Sequence, residues 1–317
     1  VGQLWASPPA LRAASLLPRE AWGGSWALAG GDGLRWARVT VLNDNSAVFI
    51  DGLLSEYGFS AAVEAETADG DRFLVLYDTG QTGRTMLHNM DVLGFRPGDF
   101  DYLVLSHRHV DHTGGVKAFL EARGKPIPVV AHPGLFEPSY AVVRGVLMEI
   151  GFPLTPERLS ALGGRLVAAR RPLQLFPGAV FSGEVPSKWG PRHTGLVYRG
   201  GPEGLEEDPM PDDAFLALRV GDRVYVVTGC GHAGVENIVE YALEVSGASG
   251  LGGVIGGLHL LGAPRERLLE AAEYLASKNP GLVAAMHCSG PFIQPVLAEK
   301  LRDAYRLAGT GARLELR

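Results

Sequence analysis

The sequence predicts an α/β protein built as an αββα sandwich, on three observations. Apolar, β-branched runs recur along the chain; they cluster first with little helix between them; and in the last third they alternate with helical stretches. Two sheets, each covered by helices on one side, give four layers with their working loops gathered at the strand ends.

Residues 1–35 hold several Gly and Pro, three Trp and no clear period, and are expected to form an N-terminal extension to a domain spanning 36–317. Strands are expected at 37–42, 59–66 and 72–77, then a helix over 82–93, a strand at 101–106 and a helix at 114–122. Strand 127–131 ends at His132. Residues 133–176, with an apolar stretch at 139–150 and a Pro-bounded helix at 156–162, have the look of an inserted lid beside a site. Strand 178–183 precedes a loop rich in Pro, Gly and acids over 184–213. Strands 214–220 and 222–228 are joined by Gly221-Asp222, a hairpin signal. Helix 233–246, strand 251–257, helix 265–277, strand 282–286, helix 291–307 and strand 312–316 complete the chain.

A net charge of −6 argues against nucleic-acid or anionic-membrane partners, which need a basic surface. A small-molecule substrate, even an anionic one, stays compatible with it, as does a homo-oligomer. Only five of the 29 basic residues are Lys, which fits a GC-rich genome. No stretch approaches 18 apolar residues and no leader is recognisable, so a cytoplasmic protein is expected. The two cysteines, Cys230 and Cys288, fit a reduced compartment better than a disulfide framework.

The chemistry is concentrated in Leu105-Ser106-His107-Arg108-His109-Val110-Asp111-His112-Thr113-Gly114-Gly115. Four metal-ligand types, His107, His109, Asp111 and His112, lie within six residues at the end of an apolar strand. Alternation along an extended segment sends the imidazoles of His107 and His109 to one side. Asp111 and His112, at the turn into the next element, can face a second ion, and Gly114-Gly115 fits a helix start passing close to the metals.

Three later strands also end in His: Cys230-Gly231-His232, His259, and His287-Cys288. A lone His on such a strand is more often a satisfied core residue than a ligand. Three at equivalent positions, beside a four-ligand cluster, read as ligands. Cys230 is either a thiolate ligand or a small buried hydrophobe. Cys288, one residue past a candidate ligand, is expected to face the opposite way. Asp78 is placed to accept the free ring N–H of a ligating His and fix its tautomer. Asp44-Asn45 either does the same or closes a turn. His132 and His193 contact substrate or are ordinary loop residues.

His107-Arg108-His109-Val110-Asp111-His112, preceded by Asp78-Thr79-Gly80, resembles the signature of the metallo-β-lactamase fold superfamily. Tyr77-Asp78-Thr79-Gly80, Thr228 to Gly234 with Asn237, Gly256-Gly257-Leu258-His259-Leu260 and His287-Cys288-Ser289-Gly290 resemble a narrower branch, the 7,8-dihydropterin-6-yl-methyl-4-(β-D-ribofuranosyl)aminobenzene 5′-phosphate synthases. The resemblance implies a sandwich of the metallo-β-lactamase type with two divalent ions, zinc before iron or manganese. One ion would take His107, His109 and a third His, the other Asp111, His112 and a late His, with a bridging carboxylate. Here Cys230 stands where that carboxylate is expected. Glu184, His193 or His232 must replace the third His, or the site there is open.

The expected activity is that of a metal-dependent hydrolase acting on a phosphoryl, ester or related bond through a metal-activated water, with Asp111 holding or orienting that water. The alternative is a dihydropterin-diphosphate-dependent transferase, in which the ions bind the diphosphate leaving group. A third reading, a di-iron redox protein, needs a flavin partner domain that is not recognisable here.

Overall fold

The computed structural model describes residues 33–48, 52–195, 197–201 and 204–317. Residues 1–32 of the expected N-terminal extension lie outside the described residues.

Three antiparallel strands, β1 (Leu34–Asn43), β2 (Ser60–Thr67) and β3 (Arg72–Tyr77), open the fold. After α1 (Arg84–Leu93), β4 (Tyr102–Val104) joins β3 in parallel. The short α2 (Val110–Thr113) and α3 (Val116–Arg123) lead to β5 (Ile127–Ala131). A hairpin of β6 (Tyr140–Val143) and β7 (Val146–Glu149) precedes α4 (Pro156–Ala161), β8 (Gly164–Ala168), β9 (Leu173–Phe176) and β10 (Ala179–Phe181). A second hairpin, β11 (Val197–Gly201) and β12 (Gly204–Glu207), is followed by β13 (Phe215–Val220) and β14 (Arg223–Thr228). The C-terminal part alternates: α5 (Val235–Ser246), β15 (Gly250–Gly257), α6 (Arg265–Ser277), β16 (Leu282–Met286), α7 (Ile293–Leu301) and β17 (Arg313–Leu316).

The main ladder runs β16-β15-β14-β13-β1-β2-β3-β4-β5-β8, and it folds over where β1 meets β13 through the single parallel pair Leu34↔Val220. Period-two alternation then builds the four layers. Val39, Val63, Val75 and Tyr77 from one half meet Leu216, Val227, Ile255 and Met286 from the other in the central core. The opposite faces pack against helices. Leu74, Leu76 and Leu103 lie with Met86, Met90 and Phe119 on one side, and Val226, Val254 and Val283 with Ile238, Leu268 and Leu297 on the other. The αββα prediction holds because both sheets are apolar on both faces. The C-terminal ends of β3, β4, β14, β15 and β16 therefore open toward one end of the sandwich.

Several elements differ from expectation. Strand 101–106 shortens to β4, since residues beyond Val104 leave the ladder for the site loop. The expected helix 291–307 stops at Leu301, where Arg302 takes a left-handed φ of 49°. Residues 133–176 are not an inserted lid as a whole, because β8 pairs with β5 and β9 with β10 inside the main sheet. Only the 140–149 hairpin leaves it, and it joins β11–β12, from the supposed loop 184–213, in a separate four-stranded sheet. Short strands exposed on both sides carry no core pattern, so neither hairpin is marked by periodicity.

Gly114-Gly115 serves a different contact from the one expected. A Cβ on Gly114 would lie 1.8 Å from the carbonyl oxygen of Gln81, and one on Gly115 2.3 Å from that of Thr79. The glycines let the site loop press on the backbone that follows β3. Gly114→Ala should therefore lower unfolding free energy by about 1–3 kcal/mol, typical of overpacking. Denaturant unfolding of the two proteins checks it.

Candidate metal centre

Beyond β4 the chain leaves the ladder and bends through Ser106, His107 and Arg108 rather than staying extended. His107 Nε2 lies 3.1 Å from His109 Nδ1, and their common side is the site. Arg108 faces the other way. The chain then turns into α2, with Thr113 Oγ1 donating to the carbonyl of His109 at 2.9 Å, and this turn brings Asp111 and His112 round to the same space.

Two ligand groups result. In the first, His107, His109 and His232 each offer a nitrogen, and in the second, Asp111, His112, Cys230 and His287 converge; within each group the donor atoms lie within 4.8 Å of one another. In the second group His112 Nε2 is 3.1 Å from Cys230 Sγ and 3.2 Å from His287 Nε2, which is itself 3.2 Å from Asp111 Oδ2. The groups adjoin, with the His107 and His112 ring centroids 4.3 Å apart. Cys230, His232 and His259 form a third such triplet that shares two members with the others. Thus His232, rather than Glu184 or His193, joins His107 and His109.

Each ring is set by a partner on its far nitrogen. Asp78 Oδ2 accepts from His112 Nδ1 at 2.8 Å and from Ser106 Oγ at 2.7 Å, while Asp78 Oδ1 accepts from the Ser106 amide at 2.7 Å. With its own proton given to Asp78, Ser106 Oγ accepts from His107 Nδ1 at 2.9 Å. His287 Nδ1 donates to Asn45 Oδ1 at 3.0 Å, and the His287 amide to Asp44 Oδ1 at 2.8 Å. His232 Nδ1 donates to the carbonyl of His193 at 2.8 Å. The Nε2 lone pairs of His107, His112, His232 and His287 are thereby turned inward. Asp44-Asn45 shapes the site rather than merely closing a turn.

Buried electron pairs pointing at one another repel unless a cation or protons lie between them. His232 Nε2 and His259 Nδ1 are buried with no hydrogen-bond partner. Burial pushes His107 and His232 well below the usual histidine range, and His109 to about 3 despite Asp111. Burial opposes charge on His112 too, yet Asp111 and Asp78 outweigh it and raise that ring to about 9. Asp111, which burial alone would raise, is held well below the carboxylate range by His112, His287 and His109. An N/O/S donor set of this kind fits divalent transition ions, zinc foremost. Three residues of the site, Asp78, His259 and His287, have positive φ of 56°, 46° and 50°, a strained backbone that the surrounding bonds maintain.

Other residues fall elsewhere. His132 is buried away from the cluster, with Nε2 2.9 Å from Glu184 Oε1, and Glu184 also meets Arg170. The His193 side chain accepts from Arg267 Nε at 3.1 Å; burial and then that guanidinium lower it to about 4. Cys288 does not face away, since its thiol donates to the Cys230 carbonyl at 3.3 Å. Three features went unread in the sequence. Arg108 is fully buried, pairing with Asp208 and Asp212, which latches the 208–213 segment to the ligand loop. Asp213 accepts from the Ala233 amide at 2.8 Å, beside His232, and burial raises it to about 6. Tyr57, half exposed, sits over His287 with ring centroids 5.1 Å apart. Nothing local marks these contacts, which span about a hundred residues or cross loops.

Residues 60–287 match the family model described as the metallo-β-lactamase superfamily. The chain is 28% identical over 279 residues to the 7,8-dihydropterin-6-methyl-4-(β-D-ribofuranosyl)-aminobenzene-5′-phosphate synthase of Methanocaldococcus jannaschii, covering 86% of this chain and 95% of that one. It is 30% identical over 256 residues to an uncharacterised protein of the same organism, covering 80% and 90%. Among solved structures, Tm1679, a metal-dependent hydrolase of the β-lactamase superfamily, superposes with a TM-score of 0.73 at 24% identity, covering 88% of this chain and 98% of that one. Zinc-bound PqqB of Methylobacterium extorquens superposes with a TM-score of 0.51 at 12% identity, covering 87% and 99%, a likeness of fold alone.

Removing the partner of His112 should loosen the second group without dismantling the fold. Asp78→Asn should weaken zinc affinity about 10–100-fold, read by competition with a chromophoric chelator. A divalent ion at this group would compete with the proton that Asp111 and Asp78 hold on His112. Uptake should therefore release a proton from His112 below pH about 9 and one from the Cys230 thiol, which burial pushes well above its usual value, so affinity should keep rising with pH through that range. Titration in weakly buffered solution measures the release.

Proposed function

The chain belongs to the metallo-β-lactamase superfamily, and from that premise we propose a metal-dependent transferase that joins a dihydropterin-methyl diphosphate to an arylamine. The observation that carries this reading over hydrolysis is the likeness to the synthase, which runs along 95% of that enzyme's length. The ligand set supports it. His107, His109 and His232 would hold one zinc, and Asp111, His112, His287 and Cys230 the second.

When bound, the two ions supply positive charge that neutralises a diphosphate leaving group. This chain's residues do the rest. In the reaction the arylamine nitrogen forms a bond to the pterin methylene carbon, the carbon–oxygen bond to diphosphate breaks, and the nitrogen sheds a proton. Asp111, with its side chain 12% exposed, would hold the second ion beside the incoming amine, and the proton would pass to solvent. Tyr57 beside His287 offers a ring face there.

Zinc-loaded protein, carrying two ions per chain by elemental analysis, should release diphosphate only when a 4-(β-D-ribofuranosyl)aminobenzene 5′-phosphate is present, with coupled product in equal amount. Diphosphate release at the same rate without the arylamine would instead establish the hydrolase. No turnover with either would overturn the reading. His112→Ala should lower kcat/KM by at least about 100-fold, the scale for losing charge stabilisation at the reacting bond, because the second ion loses a ligand.

A further inference from the structure

The four-stranded sheet carries a surface that the reaction does not use. Its order, β12-β11-β6-β7, leaves β7 as an edge among the described residues. Arg144 and Gly145, with φ of 51° and 79°, make the tight turn between β6 and β7. The pairs Val143↔Val146, Val142↔Leu147 and Ala141↔Met148 alternate, so both faces of this ribbon are apolar. Val142, Val143, Val146, Leu147 and Met148 are between 42% and 61% exposed. Edge strands of monomers are normally blunted by Lys, Pro or an inward charge, and residues 146–148 contain none of these.

The ends of the strand carry opposite charges. Arg144 precedes it and Glu149 closes it, both exposed. The ion pair of this sheet is Arg199 with Glu206, on β11 and β12; Arg144 and Glu149 have no ionic partner among the described residues. We propose that β7 pairs antiparallel with β7 of a second copy of this chain, joining two four-stranded sheets across a twofold axis. An antiparallel pair sets the Arg144 end of each strand against the Glu149 end of the other, so both charge pairs form at once. The exposed edge amides and carbonyls are satisfied, and Val146, Leu147 and Met148 gain apolar cross-strand neighbours.

The ribbon is rooted at the candidate centre. The Val110 amide donates to the Ile150 carbonyl at 2.8 Å, and Ser139 Oγ lies 3.2 Å from His109 Nε2. Joining two ribbons would therefore brace the wall of each first ligand group. The inference stands independently of the reaction proposed above.

Sedimentation velocity on the full chain should show a species of twice 33.7 kDa. Arg144→Glu alone, or Glu149→Arg alone, sets like charges together at both ends of the pairing and should weaken association on the order of tenfold. Combining Arg144→Glu with Glu149→Arg should restore it, a rescue that damage to folding would not produce. A wild-type monomer at every concentration overturns the proposal. So does a dimer indifferent to both single reversals, or a double variant that stays dissociated. A monomer that binds neutral vesicles through the ribbon would assign this surface to a lipid partner and overturn it as well.

Discussion

The carboxylate of Asp78 is the constraint from which the site is built. Fully buried at the end of β3, it accepts three hydrogen bonds, two from Ser106 and one from His112. Those bonds fix the start of the ligand loop and commit two ring nitrogens, one directly and one through Ser106. With their outer nitrogens occupied, His107 and His112 can only turn lone pairs inward. An isolated imidazole would be indifferent to its tautomer. This arrangement selects one before any cation arrives, which is the preorganisation that tight metal binding needs.

The fold supplies the second half of the constraint. Parallel β14, β15 and β16 end side by side, and each end delivers a ligand candidate: Cys230, His259 and His287. Gly257 sits between the outer two ends, where a Cβ would lie 2.7 Å from Cys288 Sγ and 3.0 Å from Cys230 Cα. A bare backbone there lets the flanking loops close together. Buried Arg108 then ties the ligand loop to Asp208 and Asp212. Paired charges so deep contribute little net stability compared with an apolar replacement, and losing one partner is costly. Their use here is placement of the 208–213 segment behind His232.

Much of this was legible in the residues, because the legible parts are local. The run from His107 to His112 packs four ligand types into six residues, so a bend and one turn suffice to form two half-sites. The late His residues announced themselves by ending apolar strands, and the alternation of those strands foretold four layers. What escaped reading depends on distant loops meeting. Whether Glu184, His193 or His232 completes the first group turns on how 183–195 lies against 229–234. There the His193 carbonyl, not its ring, does the holding. Glu184 is drawn off by Arg170 and His132. The two exposed hairpins escaped for a simpler reason: apolar on both faces or polar on both, they show no period of two.

Cys230 would stand as a thiolate among the ligands of the second ion, where the superfamily resemblance implies a carboxylate. Zinc-edge X-ray absorption on the loaded protein measures that directly. The expected first shell holds a sulfur neighbour at about 2.3 Å together with nitrogen and oxygen at about 2.0–2.2 Å, the sulfur vanishing in Cys230→Ser. A first shell of nitrogen and oxygen alone in the unmodified protein would contradict it.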